Sequence, residues 1–230
     1  MDKSQSWALF DDIAPRYDLL NRLLSFGCDR AWRNAIASRV QAQGQVRLLD
    51  LGTGTGDLLL TLWARCKASL ASVTGLDLSE NMLALAKRKT PPGCPATWIH
   101  ASAQEIPLPD QSQDSVTMAF AIRNCPDPPQ VLREMVRVLA PGGHAYILEF
   151  SMPQSWLFRR VYLFYFRHIL PLVGGWISGH STAYRYLNQS VEAFPYGEVF
   201  AQWMRDAGFS AVTTTPFTFG VVTLYEGERP

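Results

Sequence analysis

The chain has 230 residues, 47% of them hydrophobic and 18% charged, a length that suits one large α/β domain or two small ones. Twenty-one Lys and Arg against twenty Asp and Glu leave a net charge of +1, which excludes bulk electrostatic capture of nucleic acid, and the apolar fraction excludes a disordered chain. No run of about 18 apolar residues predicts a membrane-spanning helix.

The N-terminal stretch MDKSQSWALFDDIA lacks the basic-then-apolar order of a signal peptide. Cys28, Cys66, Cys94 and Cys125 form no C-x-x-C pair and no Cys/His cluster with zinc-ligand spacing. They read as buried free thiols in a reducing, cytoplasmic compartment, with no metal site expected.

From Ser4 to about Ala42 apolar residues recur at three- and four-residue steps, which predicts helices broken near Pro15 and Gly27 and placed as a cap ahead of the first strand. Strands and helices then alternate. Strands are expected at Val46–Leu51, Val73–Leu78, Ala96–His100, Ser115–Phe120 and Ala145–Phe150. Helices are expected at Asp57–Lys67, from the Ser79 cap through Lys89, and at Pro128–Leu139, with a turn at Ala140–Gly143 before the fifth strand. A helix over Val191–Ala207 precedes two closing strands, Val212–Thr215 and Gly220–Tyr225, whose short connection makes them an antiparallel pair. The alternation implies a largely parallel sheet with helices on both faces.

One domain is therefore expected. It comprises a helical cap (1–44), a ligand-binding core (45–150), a helical lid or insertion (151–188), and a closing helix with two strands (189–230).

The sharpest local signal is LLDLGTGTGDL, in which a strand runs into Gly52-Thr53-Gly54-Thr55-Gly56 and a helix begins. Alternate glycines let backbone approach a ligand, and the helix start behind them offers unpaired N–H groups. The G-x-G-x-G spacing differs from the dinucleotide G-x-G-x-x-G, and no G-x-x-x-x-G-K-[ST] is present. Asp77 ends the next strand, where a carboxylate can accept both hydroxyls of a ribose, and the loop from His100 through Ser102 and Ala103 would face an adenine edge. A nucleoside ligand without a pyrophosphate fits these three loops.

The pattern D-x-G-x-G-x-G with an acid closing the next strand resembles class I S-adenosylmethionine-dependent methyltransferases over about residues 46–150. Three further stretches resemble one family among them. These are Tyr17-Asp18-Leu19-Leu20-Asn21 with Leu24-Ser25-Phe26-Gly27, Arg30 and Trp32; Arg123-Asn124-Cys125-Pro126-Asp127 followed by RVLAPGG and LEFSMP; and Tyr184-Arg185-Tyr186-Leu187 leading to Ser190. They are similar to the ubiquinone/menaquinone biosynthesis C-methyltransferases, which methylate a ring carbon of a prenylated quinol.

The resemblance implies a Rossmann-like fold with a seven-stranded, mostly parallel sheet and one antiparallel closing strand. It also implies S-adenosylmethionine as methyl donor, S-adenosylhomocysteine as product, and no metal. It places Gly52, Thr55, Asp77, Ser102, Ala103 and Ala119 around the donor, with Gly54 and Gly56 in the glycine turn. Arg123 and Asn124 become the catalytic candidates, Arg123 polarising the quinol oxygen. The alternative for Arg123 is a structural pair with Asp127. Tyr17, Asp18, Asn21 and Tyr184 are candidates to close over the quinol, and His168 and His180 to accept a proton. Two positions depart from the family pattern: Ala119 replaces a common serine, and Cys125 a common valine.

Between Glu149 and Glu192 the chain has no acidic residue, ten aromatics, four arginines and two histidines. Within it, residues 156–173 form a predicted helix with Arg159, Arg160, Arg167 and His168 on one half-circle, ended by a break at Leu170–Gly175. This suits an anionic membrane surface or a tunnel for an isoprenoid tail, and equally a core helix or a homodimer contact. Three other functional readings stay open: a methyltransferase of another small lipid or phenol, an NAD(P)-dependent oxidoreductase, and a non-catalytic cofactor-binding protein.

Overall fold

The computed structural model describes residues 18–19, 21–23, 25–42, 44–170, 172 and 181–230, the side chains of 181–186 excepted. Tyr17 and His180, the side chain of Tyr184, and most of the break at Leu170–Gly175 lie outside the described residues.

In chain order the elements are α1 (Cys28–Gln41), β1 (Val46–Leu51), α2 (Asp57–Cys66), β2 (Leu70–Asp77), α3 (Glu80–Lys89), β3 (Ala96–His100) and β4 (Gln113–Ala119). They continue with α4 (Pro128–Val138), β5 (Leu139–Phe150), α5 (Trp156–Phe164), a π-helical turn Tyr165–Ile169, α6 (Ser181–Ala193), α7 (Glu198–Asp206), β6 (Ser210–Phe217) and β7 (Val222–Glu228). The seven strands form one sheet in the order β3-β2-β1-β4-β5-β7-β6. β7 alone runs against its neighbours β5 and β6.

Consecutive strand residues face opposite layers, and each layer is closed by helices of matching apolar face. Leu49, Val116, Ile147 and Tyr225 pack with Leu132 and Met135 of α4 and with Phe200 and Met204 of α7. Leu48, Tyr146, Leu148 and Leu224 turn the other way, onto Trp32 and Ile36 of α1 and Leu59 and Leu62 of α2. β1 lies between β2 and β4, so the strand order reverses beside it, and the C-terminal edges of β1 and β4 open a crevice there.

Several strand ends shift by one to three residues from the sequence expectation, and three differences go further. The helix expected over Val191–Ala207 is two helices, α6 ending at Ala193 and α7 beginning at Glu198. Pro195 and Gly197 (φ 64°) interrupt it, and the Tyr225 hydroxyl accepts the Gly197 N–H at 2.7 Å. The turn expected at Ala140–Gly143 is the start of β5. Gly142 N–H donates to the Arg229 carbonyl and Arg229 N–H to the Gly143 carbonyl, so the ladder extends through the Pro-Gly-Gly stretch.

The third difference is in α5. Its buried stripe is Tyr162, continued by Phe166 and Leu170, while Trp156, Leu157, Val161 and Phe164 are exposed. The four cysteines are free, but only Cys66 is buried; Cys28, Cys94 and Cys125 are half-buried.

Candidate active site

The glycine turn is held from below by a buried carboxylate. Asp50, on β1, is paired in register with Thr117 of β4, and its two oxygens accept the hydroxyls of Thr117 and Thr53, each at 2.7 Å. Burial pushes Asp50 up to about 6, with the two hydroxyl bonds pulling the other way. Thr53 N–H also donates to the Leu76 carbonyl at 3.0 Å, stitching the turn to the end of β2.

Two glycines of the turn have distinct reasons. A Cβ on Gly52 (φ 58°) would lie 2.5 Å from the Cβ of Ala121, so this residue lets the turn pass close to the β4 loop. Gly54 (φ 55°) has nothing within 4 Å of where its Cβ would be, so its face stays open.

Asp77 sits across from that open face. One oxygen accepts the Gly54 N–H at 2.7 Å and the other the Ser79 N–H at 2.9 Å. Each carboxylate oxygen has a second lone pair, so the group is positioned by backbone while keeping acceptor capacity. Ser79 caps α3 as expected, its hydroxyl accepting the Met82 N–H at 3.0 Å. Beyond β3, Ala101 N–H donates to the Asp77 carbonyl and the Ser102 hydroxyl accepts the Gln104 N–H at 3.1 Å. Ala103 is buried in the core.

A cleft lies over the turn, and it brings together Gly52, Gly54, Thr55, Ala119, Asp18 and Asn21 from the expected set. Arg33, Asp50, Asp57 and Phe120, not among the expected site residues, line it too. Asp77, Ser102, Ala103, Arg123 and Asn124 are not among its walls. Asp18 accepts the Thr55 hydroxyl at 2.5 Å and the Lys89 ammonium at 2.7 Å. Lys89 also pairs with Asp57, and Arg33 lies 3.5 Å from Asp57 and 2.8 Å from Asp29.

Arg123 follows β4, in the turn Ile122–Asn124, and is buried. The expected alternative partner is Asp127, and that pair is not formed. Asp127 instead caps α4 by accepting the Gln130 N–H at 3.0 Å, and its other neighbour is Arg133 at 3.9 Å. The partner of Arg123 is Glu149 of β5, at 2.9 Å, with both side chains almost wholly buried. Arg123 also donates to the Phe120 carbonyl and lies over the Phe150 ring, 5.2 Å from its centroid.

Burial pushes the Glu149 carboxyl upward, while the Arg123 charge and the Phe150 N–H pull it back. The pair joins residues 26 apart in sequence, and the only sequence signal for it was the acid in the quoted LEFSMP stretch. Asn124 reaches toward the Phe120 carbonyl at 3.5 Å.

S-adenosylmethionine fits this donor and acceptor set. Asp77 keeps acceptor capacity for ribose hydroxyls, and the open Gly54 face admits a ligand against backbone. With the strand order and the single antiparallel strand, this is the constellation of the class I S-adenosylmethionine-dependent methyltransferases.

The comparisons with known proteins narrow it. The profile of the ubiE/COQ5 methyltransferase family matches residues 2–229. The "Ubiquinone/menaquinone biosynthesis C-methyltransferase UbiE" of Geobacter sulfurreducens is 47% identical over 224 residues, covering 96% of this chain and 87% of the relative. The "Demethylmenaquinone methyltransferase" of Thermus thermophilus is 48% identical over 223 residues, covering 96% of this chain and 100% of the relative. The solved structure of a SAM-dependent methyltransferase from Thermotoga maritima superposes with a TM-score of 0.65 at 20% identity, covering 98% of this chain and 100% of that one. That likeness shows the fold. The chain belongs to the ubiE/COQ5 methyltransferase family and is an S-adenosylmethionine-dependent methyltransferase.

Proposed function

We infer that this chain catalyses the reaction for which its relatives are named: C-methylation of a prenylated quinol in menaquinone or ubiquinone biosynthesis. The observation that carries this reading is the 47–48% identity to so-named relatives over 96% of the chain, on a fold whose glycine turn and Asp77 suit the donor. When bound, S-adenosylmethionine supplies a methyl group on a positively charged sulfur.

The protein's own residues do the rest by positioning. Gly52, Gly54, Thr55, Gly56, Asp77, Ser102, Ala103 and Ala119 hold the donor, Asp77 at the ribose. Arg123 stabilises the negative charge on a ring oxygen of the quinol as its hydroxyl gives a proton to water, and that loss raises electron density on the neighbouring carbon, whose own proton also leaves to water after methylation; Asn124 orients the ring. Glu149 holds the guanidinium in place. Arginine keeps its proton at all working pH values, so Arg123 acts as a donor and not as a base. Asp18 and Asn21, on the cleft wall, close over the acceptor.

The exposed face of α5 is where the protein meets an anionic membrane, the source of its prenylated substrate. Trp156, Leu157, Val161 and Phe164 are 59–69% exposed, and Phe219 from the β6–β7 loop is 80% exposed. The Phe158 and Phe219 rings meet at 4.9 Å, joining helix and loop into one apolar face beside the exposed Arg159 and Arg160. In this reading the protein works at the lipid surface, on the cytoplasmic side.

The deciding experiment incubates the protein with S-adenosylmethionine and, in parallel, prenylated naphthoquinol and benzoquinol precursors lacking the methyl group, followed by mass spectrometry. Gain of one methyl on a ring carbon of either is the expected result. No gain on both would refute the quinol reading.

A further inference from the structure

Among the described residues six buried side-chain nitrogen or oxygen atoms have no hydrogen-bond partner, and three of them are Arg123 Nε, Tyr162 Oη and Asn188 Oδ1. These three come from different elements: the turn after β4, α5 and α6. These elements are neighbours in the fold. α6 packs against both the Ile122–Asn124 turn and the π-helical turn that continues α5. Asn188 Nδ2 donates to the Phe166 carbonyl at 2.6 Å, and the Phe166 ring stacks on Tyr162 with centroids 5.2 Å apart. Phe150, under the Arg123 guanidinium, packs on the same small apolar cluster as Tyr162 and Phe166. The Tyr162 hydroxyl also feels the Arg123 charge. Arg123, Asn188 and Tyr162 are 3%, 8% and 9% exposed.

A buried polar atom without a partner is costly, and three on neighbouring elements call for a polar group to satisfy them. The valences say by what. Arg123 Nε–H can only donate, Asn188 Oδ1 can only accept, and burial keeps the Tyr162 phenol protonated, so it can do either. Glu149 already balances the Arg123 charge. An anion would gain no net charge partner and would meet the Asn188 carbonyl oxygen. A neutral hydroxyl satisfies the set, because it accepts from Arg123 and Tyr162 and donates to Asn188. Asn188 also borders an open groove lined by Arg167, Gln189 and Glu192.

We propose that Arg123 Nε, Tyr162 Oη and Asn188 Oδ1 form a binding niche for one aromatic ring hydroxyl of the acceptor, with Tyr162 and Asn188 as specificity-determining residues. The proposal rests on the quinol reading and names the side chains that would read the ring oxygen. It makes the lid helix part of substrate recognition as well as cover.

The test uses the full chain, under anaerobic conditions and with S-adenosylhomocysteine present. Binding is measured by calorimetry for a naphthohydroquinone carrying one prenyl unit, the corresponding benzohydroquinone, and both monomethyl ethers of each. On wild type, one ether of the preferred ring should bind about tenfold more weakly than its parent, because it can no longer donate to Asn188 and its methyl group crowds the niche. In Tyr162→Phe, the parent should bind five- to tenfold more weakly and the ether penalty should shrink. The melting temperature should be unchanged or higher, since only an unpartnered hydroxyl is removed, and donor affinity should be unchanged.

Ethers that bind wild type like their parents, or an ether penalty of equal size in Tyr162→Phe, would overturn the niche and leave it holding water only. So would failure of both parent hydroquinones to bind. The ether comparison on wild type needs no variant to fold. Methyl transfer is scored separately: transfer without this coupling refutes the niche alone, and coupling without transfer refutes the quinol reading alone.

Discussion

Gly52 and Gly54, two residues apart in one turn, should respond differently to the same substitution. Gly52→Ala puts a Cβ 2.5 Å from that of Ala121 in a left-handed backbone, so the strain and the clash both fall on stability and the melting temperature should drop by several degrees. Gly54→Ala meets open space, so its cost is only the left-handed backbone, about 1–2 kcal/mol. Its effect belongs to the ligand: S-adenosylmethionine affinity by calorimetry should fall at least tenfold, and unchanged affinity would show that the donor does not lie on this face. Asp77→Ala should remove most donor affinity in the same measurement, because it deletes the acceptor fixed by the Gly54 and Ser79 N–H groups.

Asp50 carries a pH dependence. Its folded pKa of about 6 lies above the reference of 3.8, so the folded state holds this proton more tightly. The group's contribution is therefore greatest below about pH 4 and is lost as pH rises through 6, in total about 3 kcal/mol. Asp114, Glu134 and Glu192 run the other way, held low by Arg47, Arg137 and Arg167 respectively, so wild type alone will not isolate the effect. The difference in melting temperature between wild type and Asp50→Asn, followed from pH 4 to 7, should widen in favour of the variant as pH rises. A flat difference would refute the assignment.

At the scale of elements, α4 is the simplest case. Asp127 accepts the Gln130 N–H and Pro128 opens the helix, so Asp127→Ala should cost about 1 kcal/mol in urea unfolding and leave Arg123 in its pair with Glu149. β1, β3 and α4 were readable to within a residue, β1 from a continuous apolar run buried on both faces and α4 from the apolar stripe it turns to the core. Apolar patterning failed where tertiary partners decide. Tyr225 holds the α6–α7 break open at Gly197, and Arg229 draws Pro141–Gly143 into β5; both partners are more than 25 residues away. Pro195 and Gly197 were visible signals for the first, and nothing local signalled the second. The same distance hid Glu149 as the partner of Arg123, while the glycine turn and Asp77, built from contiguous segments, were legible before any coordinates.

At the scale of the whole molecule, charge and apolarity are sorted in ways that the +1 total conceals. The face made by α5 and Phe219 should carry the protein to vesicles containing anionic lipid. Arg159→Glu with Arg160→Glu is the informative variant, since both side chains are exposed, whereas Arg167 is engaged with Glu192. In liposome flotation the double variant should remain at the bottom of the gradient while retaining the wild-type melting temperature. Co-flotation equal to wild type would count against the membrane face. Among the described residues no helix is long and apolar enough to cross a membrane.

The bond between Asp18 and the Thr55 hydroxyl, shared with Lys89, has a kinetic consequence. It ties the segment ahead of α1 to the glycine turn, so these two sides of the crevice cannot part without breaking it. A donor leaving through that side of the crevice meets this tie, and weakening it should speed release. Asp18→Ala should shorten the residence time of S-adenosylhomocysteine in stopped-flow displacement, and a bisubstrate analysis should show the donor entering first and its product leaving last.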